Sequence, residues 1–167
     1  MSIVLYVNDG KTKRLFADSL MGHGEMTYCV PEKIKKISDR LLIGGVGSSD
    51  LSYYVKATLP KMITESENII TLREKFVKIC SDYNYEENDA EFLISLDGRV
   101  YNVTIRKNKV DTCLDVTDHD YFGIGYWEMV MGAVICGYDP VKAIERISDR
   151  NRYLSKPVYE YVIDEVK

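Results

Sequence analysis

The 167-residue chain has no apolar run approaching the roughly 18 residues that cross a membrane as a helix. No basic segment followed by a long apolar stretch stands at its start, so a secretory leader is not expected and a cytoplasmic location is. Positive charge is scarce. Lysine and arginine number 22 against 26 acidic residues, a net charge of −4, whereas nucleic-acid-binding proteins normally carry a basic patch. Thirteen tyrosines could stack on bases, but without a positive groove they do not make a nucleic-acid surface. Cysteine occurs four times, at Cys29, Cys80, Cys113 and Cys136, and never in a CxxC pair. That spacing gives little basis for a disulfide framework or a zinc site, and reduced, mostly buried thiols are expected. The run DTCLDVTDHDYF gathers Asp111, Asp115, Asp118, His119 and Asp120. Carboxylates alternating along a strand end with one histidine read as a solvated edge rather than a metal centre, so no metal or cofactor is expected. Repeats, low-complexity tracts and Pro/Gly/Ser-rich linkers are also missing, and residues 1–167 are expected to form one domain.

What is present is an ordinary globular composition, 46% hydrophobic and 29% charged. IVLYV at 3–7 reads as a strand, NDG at 8–10 as a hairpin turn, and RLFADSL at 14–20 as the returning strand. KIKKI at 33–37 has the alternation of a half-exposed strand, and LLIGGVG at 41–47 that of a buried strand ending in glycines. Leu51, Tyr54, Val55 and Leu59 then recur at helical spacing, with Ser48 or Ser49 as the N-cap. A second helix is expected through NIITLREKFVKICSDY, with Ile69, Leu72, Phe76, Ile79, Cys80 and Tyr83 on one face. Strands follow at AEFLISLD, RVYNVTIR and KVDTCLDV, the first two joined by a DG turn.

YWEMVMGAVICG is apolar nearly all round, as suits a helix sandwiched between layers, and Gly132 and Ala133 would let a neighbour come close. DPVKAIERISDR opens a further helix with Asp139 as N-cap and Pro140 in its first turn, and PVYEYVID closes as a strand. Blocks of antiparallel strands alternating with paired helices predict an α+β fold, two antiparallel sheets face to face between helix layers.

In this order and spacing the pieces resemble the αββα sandwich of the N-terminal-nucleophile (Ntn) hydrolases, specifically the proteasome β-subunit and the HslV peptidase. The matching segments are SIVLYV…FADS, EKIKKI, LLIGGVGSSD, SLDGRVYNV, MGAVICGYDPVKAIERISDRNRYL and VYEYVI. The resemblance places Ser2 where the family has its N-terminal threonine, sixteen residues before Asp18, which matches the family carboxylate. Lys33 matches the catalytic lysine. Gly47 matches the glycine whose N–H forms the oxyanion hole, with Val46 as the alternative because one residue is missing around that turn. The chain departs from the pattern elsewhere. GIGYWE lacks the serine of the family's GSG turn, and Asn151 and Leu154 stand where the family has an aspartate and a serine or threonine.

The small Ser2 side chain permits removal of Met1, which would leave a free α-amino group beside a hydroxyl. With a reference pKa of about 7.7–8.0, that amine is partly free base near neutral pH and suited to accept the hydroxyl proton. The resemblance therefore implies a peptidase acting through Ser2, Asp18, Lys33 and Gly47, in a homo-oligomeric ring fed by an ATP-dependent unfoldase. The departures imply the alternative, a catalytically silent subunit kept for assembly or binding. A non-peptide amidohydrolase is a third reading, because the fold hosts several amide chemistries. Tyr53 and Tyr54 beside Leu51 mark the first helix as a candidate interface.

Overall fold

In the strand Ile3–Asn8 (β1), Ile3, Leu5 and Val7 pack on one side and Val4 and Tyr6 on the other, all of them buried. Successive side chains of a strand point to opposite faces, so a strand apolar at both parities must be covered on both. That requirement sets the layer order of the whole molecule. The computed structural model describes residues 2–23, 26–29, 33–83, 87–150 and 154–163. Met1 and Asn151 therefore lie outside the described residues.

The first sheet has four strands, Tyr121–Gly125 (β10), β1, Lys13–Ala17 (β2) and Tyr159–Ile163 (β11), in the order β10-β1-β2-β11 and antiparallel throughout. The second has five, Ile34–Ser38 (β5), Leu41–Gly47 (β6), Ala90–Leu96 (β7), Arg99–Arg106 (β8) and Lys109–Asp115 (β9), in sequence order and also antiparallel. A separate hairpin joins Leu20–His23 (β3) to Met26–Cys29 (β4). The returning strand thus ends at Ala17, and Leu20 starts a different strand; the expected strand over 14–20 is two pieces.

Three apolar layers hold the sandwich together. Val4, Tyr6, Leu15 and Ala17 of the first sheet meet Ile34, Leu42, Leu93 and Val100 of the second. The outer face of the second sheet, with Ile43, Phe92 and Val103, is covered by Ser49–Thr58 (α1) and Ile69–Asp82 (α2) through Leu51, Val55, Leu72 and Phe76. The outer face of the first, with Ile3, Leu5 and Phe16, is covered by Glu128–Ile135 (α3) and Pro140–Ser148 (α4) through Val130, Val134, Ala143 and Ile144. The α+β architecture, two antiparallel sheets between helix pairs, is the one the sequence predicts.

The helix starts follow from local chemistry. The Ser48 hydroxyl accepts the Leu51 N–H, Asn68 caps α2 in a capping box with Thr71, and Asp139 accepts the Lys142 N–H ahead of α4. Helix α3 departs from expectation. It is an outer helix burying Val130 and Val134 while Met129 and Ile135 stay exposed, and a methyl added at Gly132 would meet nothing within 4 Å. Among the described residues the outward side of α3 keeps an exposed apolar side chain, Ile135. Of the described thiols Cys80 is buried, Cys113 intermediate and Cys136 exposed, so fewer are buried than expected; the Cys29 side chain lies outside the described residues. Among the described residues no helix is long and apolar enough to cross a membrane.

Candidate active site

The register of the first hairpin brings the start of β1 to the end of β2. Val4 pairs with Ala17, so Ile3 faces the residue that follows β2, Asp18. The Ile3 N–H donates to Asp18 Oδ1 at 2.8 Å. Lys33 stands just before β5 in the facing sheet, with its carbonyl accepting the Gly45 N–H at 3.1 Å. Its Nζ crosses between the sheets to the same Asp18 Oδ1 at 2.6 Å. Asp18 has no solvent exposure and Lys33 only 5%. Two buried charges persist only when paired and hydrogen-bonded, and this pair is both. Two sequence-predicted residues, fifteen apart in the chain, are thus in direct contact beneath the N-terminal end of β1.

Ser2 and Gly47 share a cleft of about 410 Å³ at that end of the sandwich, with Val46 between them. Gly47 ends β6 at φ +97°, and a methyl there would lie 2.5 Å from the Asp89 carbonyl and 2.8 Å from the Ala90 Cα. Both the backbone conformation and the space require glycine. The alternative, Val46, is a strand residue paired with Glu91, with only 7% exposure.

The opposite wall comes from β10, which sequence reasoning missed. Ile3 pairs with Gly125, and the Tyr126 N–H donates to the Ser2 carbonyl at 3.0 Å. Gly125 has φ +74°, and a methyl there would collide with the Ser2 carbonyl. From the facing sheet, Glu91 Oε2 accepts the Gly125 N–H at 3.2 Å, while its other oxygen takes Arg106 at 2.9 Å. Arg106 also approaches Asp89 at 3.6 Å. Glu91, Arg106 and Asp89 were not singled out from the sequence. The signal was available for Glu91, the one charged residue in the strand AEFLISL.

Two of the positions that depart from the resemblance are apolar and buried, and the third, Asn151, lies outside the described residues. Ile124, in the GIG segment, is 2% exposed between the sheets, and Leu154 is 4% exposed under α4. The acidic run away from the site is occupied locally. Asp115 accepts the Thr117 hydroxyl and pairs with Arg99 at 2.6 Å, and its carboxyl lies below the usual range although burial opposes this. The described residues contain no group of three or more His, Cys, Asp or Glu placed to hold a metal.

No protein-family model matches the chain, and no curated protein is significantly similar to it in sequence. Solved structures do match. HslV from Trypanosoma brucei superimposes with a TM-score of 0.67 at 19% identity, covering 96% of this chain and 98% of that one. The Thiobacillus denitrificans BPH protein, in complex with epoxomicin, gives 0.76 at 14% identity over 99% and 100% of the two chains. Anbu, the ancestral β-subunit from Yersinia bercovieri, gives 0.67 at 10% over 96% and 80%. At these identities the likeness is one of fold, and the chain has the proteasome-type Ntn-hydrolase fold of HslV, BPH and Anbu.

Proposed function

We propose that the chain is a single-domain, N-terminal-serine peptidase of the proteasome type, cleaving amide bonds after Met1 has been removed. The observation that carries this reading is the buried Lys33–Asp18 pair, whose shared oxygen also receives the N–H of the residue next to Ser2. An ordinary structural ion pair has no need to sit directly under the N-terminal end of a strand.

In this mechanism the Ser2 Oγ attacks the substrate carbonyl and its proton passes to the Ser2 α-amine, directly or through a water. The C=O electron pair moves onto oxygen, which the Gly47 N–H stabilises. Collapse of the intermediate breaks the C–N bond, and the leaving amine takes the proton from the α-ammonium. Water then attacks the acyl ester and regenerates Ser2. Lys33, held charged by Asp18, lowers the proton affinity of both amine and hydroxyl by like-charge repulsion. With Ile124 and Leu154 in place of orienting polar groups, we assign Glu91 to that role. Its carboxylate is anchored on the Gly125 N–H, adjacent to the N–H that holds the Ser2 carbonyl, and opens on the same cleft. The cleft takes no metal or cofactor in this scheme.

Assembly into a homo-oligomer, a ring served by an ATP-dependent unfoldase in the cytoplasm, is part of the same proposal. The exposed Ile135 of α3 and the 76% exposed Tyr53 of α1, large side chains facing outwards on the two helix layers, support it as candidate contact surfaces. Light scattering on the native protein should report a multiple of the 19.2 kDa chain, and a monomer at high micromolar concentration would count against it.

The decisive experiment combines intact mass with an epoxyketone such as epoxomicin, which needs both a hydroxyl and a free amine on one residue. The native protein should lack Met1 and take up one equivalent at Ser2. Ser2→Ala should abolish the addition, and Ser2→Thr should retain or raise it, because the added methyl restricts the hydroxyl rotamer. The second reading, a silent subunit kept for assembly, is favoured by the apolar burial of Ile124 and Leu154. Full retention of Met1, or labelling indifferent to Lys33, would establish it instead.

A further inference from the structure

At the far side of the second sheet, the start of α1 and the end of α2 enclose a pocket of about 370 Å³ lined by Asp50, Tyr53, Tyr54 and Tyr83. We infer that this pocket is a binding site for an organic cation, the ammonium or guanidinium group of a lysine or arginine side chain presented by another protein chain. The inference stands whether or not Ser2 reacts.

Three of the four lining residues present phenol rings and the fourth a carboxylate. Tyr54 and Tyr83 sit with ring centroids 5.3 Å apart and planes inclined at 53°, so they form a corner rather than a stacked plate. Ring faces are the negative regions of an aromatic quadrupole, and a cation within about 6 Å of a centroid is attracted to them. Tyr83 is 5% exposed and packed in the core with residues of α1 and α2, whereas Tyr53, at 76%, stands on the solvent side of the pocket.

Charge decides between a cation and a neutral apolar group. Asp50 lies in the first turn of α1, whose positive end carries about +0.5 charge. Tyr83 caps the end of α2, whose last turn holds no basic residue to offset a terminus of about −0.5. The two helix ends cancel at the pocket, and the full charge of Asp50 is left over. Among the described residues that line the pocket none is basic. A hard metal ion is a poor match, since such ions are held by carboxylates and carbonyls and the described lining offers a single carboxylate beside three neutral phenols. A neutral side chain would enter the rings but leave Asp50 without a counter-charge.

Saturation-transfer NMR on the intact protein tests this with N-acetyl-lysine amide, N-acetyl-arginine amide and the uncharged N-acetyl-norleucine amide. Both cations should bind saturably, at least about tenfold more tightly than norleucine amide, because ring attraction and the carboxylate act together. Asp50→Asn should remove most of that preference while Asp50→Glu retains it, and Tyr53→Ala should weaken both cations about threefold. Both positions, Asp50 and Tyr53, are solvent-facing, and the fold of all three variants can be checked by circular dichroism. Norleucine amide binding as well as lysine amide, or Asp50→Asn leaving the preference intact, would overturn the inference. Light scattering with saturating lysine amide identifies the source in the bound case. A fall in mass supports a neighbouring copy as the natural occupant, and an unchanged mass supports a different protein.

Discussion

Removing one member of the Asp18–Lys33 pair should damage the protein far more than removing both. Lys33→Met leaves a carboxylate with no solvent exposure and takes away a donor 2.6 Å from it. Leaving a buried charge uncompensated costs roughly 3–5 kcal/mol. For a domain of this size each kcal/mol lowers Tm by about 2–4 °C, so a fall of roughly 6–20 °C is expected. Asp18→Asn should cost a similar amount by stranding the Lys33 ammonium, although the new amide oxygen still accepts the Ile3 N–H. The double variant Asp18→Asn/Lys33→Met carries no unpaired charge and should recover to within about 1 kcal/mol of the parent, since buried pairs often break even against apolar replacements. Urea denaturation of the four proteins at pH 7 gives the coupling energy, expected at about 3 kcal/mol or more. Additive single costs, or singles that lose less than about 1 kcal/mol, would show that the two charges are not buried against each other. The double variant also separates folding from chemistry: it should be stable and yet fail to take up the epoxyketone at Ser2.

Gly125→Ala should destabilise the fold by about 1–3 kcal/mol through positive φ and collision with the Ser2 carbonyl, and should suppress Ser2 labelling even where the protein remains folded at low temperature. Glu91→Gln should move the acidic limb of the labelling rate to lower pH. The free amine would lose a carboxylate that favours its ammonium form, while Lys33 and Arg106, which disfavour it, remain beside Asp18 and Asp89; an unmoved limb would remove Glu91 from the mechanism. Glu67 supplies a pH test of stability. Burial pushes its carboxyl up, but hydrogen bonds from Lys75, Thr64 and Thr71 outweigh this and bring it from 4.5 to about 2. A depressed folded-state pKa gives stability that is present above 4.5 and lost as pH falls towards 2, so Glu67→Gln should be less stable than the parent at pH 7 and converge with it near pH 2. Equal stabilities at pH 7 would refute that assignment.

Those parts of the fold whose signal is local were legible in the sequence. The β7–β8 turn is fixed by Asp97 and Gly98, both at positive φ, and the DG pair announces it. Ser48 and Asp139 mark helix starts because each satisfies a backbone N–H within three residues of itself. β10 was illegible for the opposite reason. YFGIG contains two glycines and follows an acidic turn, so its strand propensity is poor, and it is extended because β1 offers it a ladder more than a hundred residues away. Helix α3 misled because apolarity reports that a face will be covered without saying by which chain. At the site, no spacing rule connects Asp18 to Lys33; resemblance proposed the pair and the crossing between sheets supplies the contact. Glu91 showed in the sequence only as a lone charge in an apolar strand; its partners, Gly125 and Arg106, come from a different sheet and a neighbouring strand, which no local pattern reports.

The position of β1 inside its sheet has a kinetic consequence. Its neighbours are β2, a few residues later, and β10, whose Gly125 pairs with Ile3, while β2 in turn waits for Tyr159 to pair with Ala17. Loop-closure entropy must be met before such distant pairings return any energy, so this sheet has a high contact order whereas the sequential β5–β9 meander has a low one. On a ribosome, the meander and its helices α1 and α2 can assemble while Tyr121–Gly125 and Tyr159–Ile163 are still unsynthesised. Ser2 therefore acquires its cleft only after Tyr121–Gly125 and Tyr126 have been made. Until then the proposed nucleophile stands ahead of a strand paired only with β2, open to the enzyme that would remove Met1 and without the wall that Gly125 and Tyr126 later supply.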